Sequence, residues 1–493
     1  ITVHSHFDTM ESSRSSERLV SYGSISPSPP PLFSPLTLSS RVISVALICL
    51  INTLTCWDRY VTAGVLNPII AYYGITDATG GLLQSAFIVV YIITLAITGW
   101  LGDHSNRKHL LLFSFTAWFL AVAASSFVPR ESFLLFFLLR SLSAIGDASV
   151  KVIAPALFAD YFKGKERGYA IMLFFASIPL GISIGMIIGS IITDSTIDWQ
   201  WSLRAAPVFG LPLLIISSYL IEEPQRGSME TEGRILKETS HWEDIRACLA
   251  VKTFVFSIVG ASFLNMYGRA VAWWGPTLLL DAMKYKNYDE SIYHGISFAT
   301  IQSFSSAMSI VSGLLGTTAC VFLAESWSLG RCLSIGRSRS SLLVASFGVL
   351  LAVPLSLLSL ESISFNLYMY LGANFVAPTV MGGTFPLLTE AILNVVSPSD
   401  RAMASALFNL VGSITGDGPA PLLVGQLSDM FAGGETHPAA VFLSLQKALI
   451  ILSTFSAFGV IFLFLAAWSY PEDVRRREEL TEEASWRGLR GEG

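Results

Sequence analysis

The sequence predicts an all-α membrane protein with twelve transmembrane helices in two six-helix halves. Three observations carry this reading: repeated apolar segments of membrane length, a one-sided distribution of Lys and Arg, and a single long polar stretch in the middle. The chain is 52% hydrophobic and only 14% charged, with a mean hydropathy of +0.58. Soluble domains carry roughly 25% charged residues. A helix needs about 20 predominantly apolar residues to cross the bilayer core. Twelve segments qualify, near 42–70, 80–101, 109–128, 133–161, 168–192, 203–221, 252–280, 298–324, 340–359, 363–392, 402–428 and 440–469. Lipid leaves open backbone groups unsatisfied, so these segments are helices.

Orientation follows from the cations. With the N-terminus inside, the inner segments hold Arg107, Lys108, Lys163, Lys165, Arg167, Arg226, Arg234, Lys237, Arg246, Arg331, Arg337, Arg339, Arg401 and Arg475–Arg477. The outer segments hold only Arg130, Lys284 and Lys286. This is the positive-inside bias. The net charge of -5 adds little.

The polar stretch 222–251 is read as a cytosolic linker between an N-terminal half, 42–221, and a C-terminal half, 252–469. Binding is expected between the halves, near the midplane. Residues 1–41, rich in Ser and Pro, are read as a disordered cytosolic tail, and 470–493 as a charged cytosolic tail. The first methionine is Met10, and the sequence shows no cleavable signal peptide. Five cysteines without CxxC spacing indicate neither a disulfide framework nor a zinc site. No metal, cofactor or nucleic-acid partner is expected. No His, Cys or Ser constellation suits catalysis, so the chain is not read as an enzyme.

Charges inside the spans are functional candidates, because each costs about 2.5–3.5 kcal/mol on insertion scales unless paired or wetted. Helix 1 carries Asp58-Arg59. Adjacent helical residues point about 100° apart, so the two address different neighbours. They read either as a structural ion pair or as an anion-binding Arg beside a protonatable Asp. Helix 4 carries Arg140, Asp147 and Lys151. Arg140 and Asp147 are expected on one face, and Asp147 and Lys151 at i,i+4 can pair directly. The stripe is either self-satisfied or the wet wall of a cavity with Asp147 as proton carrier. Arg269 in helix 7, Glu390 in helix 10 and Asp417 in helix 11 are further candidates. Asp417 lies in Thr415-Gly416-Asp417-Gly418-Pro419, a weak point where it either binds freed backbone or takes part in coupling. Helix 5 carries Gly181, Gly185 and Gly189 at four-residue spacing, a flat strip for static packing or for sliding.

The loop Gly99-Trp100-Leu101-Gly102-Asp103-His104-Ser105-Asn106-Arg107-Lys108 resembles the helix 2–3 loop of major facilitator transporters, G-x-L-x-D-x-x-G/N-R/K-R/K. Further stretches resemble the spinster family of that superfamily. They are Asp58 to Leu66 in helix 1, Gly80 to Phe87 in helix 2, Arg140 with Gly146-Asp147-Ala148-Ser149 and Ile153-Ala154-Pro155 in helix 4, and Ile178-Pro179-Leu180-Gly181 in helix 5. Ala272-Trp273-Trp274-Gly275-Pro276, Glu222 to Gly227 and Gly416-Asp417 extend the match. The resemblance implies the major facilitator fold. It also implies export of lysophospholipid, sphingosine or sphingosine 1-phosphate, in a lysosomal or plasma membrane. Asp58, Arg59, Lys151, Arg269, Trp273 and Trp274 are the expected substrate-binding residues. Asp147, Arg140 and Asp417 are expected in proton coupling, and Gly99, Gly102, Asp103, Arg107 and Lys108 in gating. Asp103 is expected to face the start of helix 11, around 399–402. The chain departs from the family at Asp147, where the family has Glu, and at Lys151, where it has a small or polar residue. Arg269 and Ser413 depart as well. The reading is a proton-coupled lipid transporter working by alternating access. The competing readings are a facilitator carrying a small organic anion and a non-transporting membrane receptor.

Overall fold

The computed structural model describes residues 37–224, 241–330, 339–396 and 401–490. Among the described residues the fold is helical throughout, without strands. The spanning helices are α1 (Leu38–Gly64), α2 (Asp77–His104), α3 (Arg107–Ser125), α4 in two segments (Phe133–Leu142 and Ala144–Tyr161), α5 (Gly164–Thr193) and α6 (Gln200–Leu220). The second half holds α7 (Lys252–Tyr285), α8 (Phe298–Ser328), α9 (Ser340–Ser362), α10 in two segments (Leu367–Met381 and Thr384–Val395), α11 in two segments (Arg401–Gly412 and Pro419–Ala432) and α12 (Pro438–Arg490).

Local sequence starts and breaks these helices. The side chains of Thr76, Asn106, Ser297 and Asn366 cap the first turns of α2, α3, α8 and α10. Each satisfies a backbone donor that the helix leaves open. Eleven helices are long and apolar enough to cross a bilayer. The twelfth crossing is α11, which Ser413–Asp417 splits as a π-turn. Gly416, Gly418 and Pro419 make that turn the weakest point of the helix. Gly382 and Gly383 break α10 at a two-residue turn. Two sequence-level boundaries shift. The stretch read as linker contains a helix, His241–Ala250, and α12 runs on to Arg490 rather than ending at 469.

The glycine strip of α5 packs on α1 within the same half. A Cβ at Gly189 would lie 2.8 Å from the Gly64 Cα, so the backbones touch and no side chain fits. The strip is static packing, not a sliding surface between halves. The halves meet elsewhere: α2 lies along the outer segment of α11, α5 along α8, and α1 touches α7. At the α2–α11 seam, a Cβ at Gly81 would stand 2.9 Å from Leu422 Cα, and one at Gly425 2.8 Å from Ala78 Cα.

Hydrogen bonds across these seams lie between the midplane and the outer side. Asn67 donates to Asp281 at 3.2 Å, and Ser428 to Asp77 at 2.7 Å. The backbone N–H of Asp77 and of Ala78 donate to Asp429 at 3.1 and 2.9 Å, and Ala299 N–H donates to Asp194 at 3.3 Å. Towards the cytoplasmic end of α2 the contacts thin out. No atom stands within 4 Å of where a Cβ would sit on Gly99 or Gly102.

Candidate substrate and coupling site

Five charged side chains of α1 and α4 form two neighbouring sets. Asp58 and Arg59 do not pair with each other. Arg140 Nη1 donates to Asp58 Oδ1 at 2.8 Å, and Nη2 donates to Asp58 O at 3.0 Å and to Thr62 Oγ1 at 2.6 Å. Trp118 Nε1 donates to the other carboxylate oxygen at 3.2 Å. Asp58 is therefore enclosed and fully engaged, with a side-chain exposure of 1%. The Asp58–Arg140 pair is a structural lock. It corrects one expectation, because Asp58 is enclosed and does not line the site. Arg140 and Asp147 both face α1, across a break at Ser143 that keeps right-handed helical dihedrals.

Arg59 points the other way. Its Nη1 lies 3.7 Å from Asp147 Oδ2. Gln84, with its amide oxygen turned to the guanidinium, accepts from Nε at 3.0 Å and from Nη2 at 2.6 Å. Phe87 and Tyr60 present ring faces to it at 4.9 and 5.5 Å. Asp147 Oδ1 accepts from Lys151 and from Thr55, the latter at 3.2 Å. The Lys151 ammonium also sits over the Tyr91 ring at 5.5 Å. Two cations thus share one carboxylate, and Lys151 keeps 20% of its side chain exposed. Asp147 Oδ2 receives no hydrogen bond.

Arg269 bridges the halves. Its Nε donates to Asp417 Oδ1 and its Nη1 to Tyr60 Oη, both at 2.8 Å. The sequence offered Lys151 its i,i+4 partner Asp147, and that pair forms, whereas it offered none for Arg269, which finds Asp417 and Tyr60. Asp417 was also read as a backbone-satisfying residue. Gly418 N–H to Ser413 O and Ser85 Oγ to Gly418 O perform that task, at 3.0 and 2.5 Å. The π-turn instead aims Asp417 at α7.

Beside Arg269 lies a cavity of about 290 Å³ between α5, α7, α8, α9 and α10. Its walls mix apolar side chains with Ser305, Ser306, Ser356, Gln302 and Asn374, and no charged residue lines it. Trp273 and Trp274 were expected on this wall. They are buried instead, and the Trp274 indole donates to Pro421 O at 2.9 Å. Their neighbours Ala272 and Gly275 face the cavity. Trp274 ties α7 to α11, and Trp273 is buried beside it; neither lines this cavity.

The inner loop is tied to its own half. Arg107 reaches Asp160 of α4 at 2.5 Å, and the backbone N–H of Arg107 and of Lys108 donate to Glu223 at 2.9 and 2.6 Å. A carboxylate at the start of α3 offsets its helix dipole. Glu223 was not singled out from sequence; its place in the Glu222-Glu223-Pro224 run was the only signal. The side chain of Asp103, the expected partner segment 397–400 and the side chain of Arg401 lie outside the described residues. Glu390 is exposed near Ser341.

These elements find their counterparts in known proteins. Residues 48–416 match the Major Facilitator Superfamily. Protein spinster homolog 1 of Xenopus tropicalis is 31% identical over 462 residues, 91% of this chain and 84% of that protein. Protein spinster homolog 3 of Danio rerio is 30% identical over 94% of each chain. The sphingosine-1-phosphate transporter SPNS2 of Mus musculus is 29% identical over 88% of this chain and 78% of its own. A bacterial homolog of the human lysosomal transporter Spinster, solved inward-facing and unoccupied, superposes with a TM-score of 0.73 at 22% identity, over 89% of this chain and 99% of that one. The nucleoside transporter NupG shares the fold with a TM-score of 0.63. The chain is a multi-pass membrane transporter, not an enzyme, and it belongs to the spinster family of the major facilitator superfamily.

Proposed function

We propose that the protein carries an amphiphilic lipid with an anionic head group by alternating access, coupled to protons. The observation that carries this reading is the charge balance of the core. Asp58 answers Arg140 and Asp417 answers Arg269, while Asp147 alone answers both Arg59 and Lys151. One positive charge is left over at a largely buried position. An anion arriving there forms charge-assisted hydrogen bonds and offsets that excess. The planar fork of Arg59 suits phosphate oxygens. The uncharged cavity between α5, α7, α8, α9 and α10 is the proposed place for the acyl chain, although none of the triad residues lines it.

Coupling follows from the shared carboxylate. A proton on Asp147 removes the only counter-charge of Arg59 and Lys151, and an anionic head group replaces it. Proton and lipid therefore favour each other's binding. The relatives' names support lipid as cargo, sphingosine 1-phosphate for one of them. A lysosomal or plasma membrane is the proposed setting; of these names, only that of the bacterial homolog mentions a compartment, the lysosome. Purified protein reconstituted into vesicles decides the matter. Uptake of radiolabelled lysophospholipid or sphingosine 1-phosphate, stimulated by a pH gradient, is the expected result, with sphingosine, which lacks the phosphate, not taken up. Transport of small organic anions instead, or no transport at all, would overturn it.

A further inference from the structure

The triad Arg59–Asp147–Lys151 carries a net charge of +1, and among the described residues the carboxylates and rings recorded at it already hold cations. The carboxylates of Asp58, Asp147 and Asp417 each have a cationic partner. Quaternary ammonium groups are held by aromatic faces. The ring faces at the triad are taken by the protein's own cations: Phe87 and Tyr60 by Arg59, and Tyr91 by Lys151. A zwitterionic phosphocholine head brings one charge the triad favours and one that it repels. A phosphate monoester carries about 1.5 to 2 negative charges at neutral pH and no cation.

We infer that Lys151 is a specificity-determining residue that makes the site select phosphate-monoester lipids over phosphocholine lipids. The inference rests on the function proposed above. Lys151 acts in two ways. It supplies the second cation for the phosphate, and it covers the Tyr91 face and the Asp147 carboxylate that a choline group would need. Removing it changes both at once. The triad becomes a neutral Arg59–Asp147 pair, and the Tyr91 ring is freed.

The test uses full-length protein in phosphatidylglycerol-free vesicles, with lysophosphatidic acid and lysophosphatidylcholine of the same acyl chain. The wild type should favour the monoester by about tenfold in kcat/KM, the scale of one charge-assisted contact. Lys151→Ala should lower monoester transport and raise choline-lipid transport, cancelling or reversing the ratio. Lys151→Arg, which keeps the charge and the ring contact, should keep the preference. Equal wild-type transport of both lipids overturns the inference and leaves the proposed function standing. So does a Lys151→Ala variant that slows both lipids equally, since that is loss of fold or of general activity. If the wild type moves neither lipid, the proposed function falls and this inference falls with it.

Discussion

Asp429 and Asp194 close the two outer seams of the protein in the same way, each at the first turn of a helix in the opposite half. Asp429, near the outer end of α11, accepts the first backbone N–H groups of α2. Asp194, just past the outer end of α5, accepts the N–H of Ala299 in the first turn of α8. The helix dipole and the unsatisfied N–H groups favour the carboxylate at both places. The seams are related by the exchange of halves, so one device serves both.

The first prediction concerns these latches. Each contact is worth about 0.3–1 kcal/mol at a surface and up to about 2 when partly buried. Asp429→Asn with Asp194→Asn should therefore shift the population towards the outward-facing state. A cysteine introduced at Gln302, on the α5–α8 seam, should react faster with an impermeant maleimide added from outside. An unchanged rate would show that the carboxylates do not hold the seam.

The Asp58–Arg140 lock gives the second prediction. Breaking a buried pair from one side costs about 3–5 kcal/mol, because the remaining charge is stranded. Asp58→Asn should lower the thermal stability of the detergent-purified protein strongly, and Arg140→Met likewise. The double variant Asp58→Leu/Arg140→Met should recover much of the loss. Additive losses would mean that the two residues do not act as a pair.

Proton coupling is checked at Asp147. Replacing Asp147 alone leaves two cations unanswered, so Asp147→Asn is combined with Lys151→Gln, which keeps the local charge at the wild-type value. The double variant should fold and bind lipid yet lose stimulation by a pH gradient in vesicles. Retained stimulation would place the proton elsewhere.

The spans were legible in the sequence because apolar length is a property of the chain itself. The charges were legible because a charge in an apolar run stands out. Their pairing was not. Asp58 and Arg59 are neighbours in sequence, yet their side chains diverge on α1 and take opposite partners on α4. Arg140 and Asp147 do face the same helix, α1, but each takes a different one of the two neighbours there. Trp273 and Trp274 were read as lining because aromatic rings suit acyl chains, but both are buried and Trp274 is tied to α11. Gln84, Tyr60 and Trp118 were missed as partners, since an uncharged polar or aromatic residue in a span leaves no signature. Asp194 and Asp429 look like ordinary solvated helix ends until the opposite half is set against them.

On the proposed function, a net positive triad reads an anionic head group. Ligand binding to the folded state raises apparent stability, by about 2.7 kcal/mol at a hundred times the dissociation constant. The most direct measurement is the thermal shift of the detergent-purified protein on addition of sphingosine 1-phosphate or lysophosphatidic acid, beside uncharged monoacylglycerol. The anionic lipids should stabilise the wild type and the neutral lipid should not. Arg59→Ala should abolish the shift, and Arg59→Lys, which keeps the charge but not the planar fork, should retain part of it. Equal stabilisation by the neutral lipid, or a full shift in Arg59→Ala, would contradict the account.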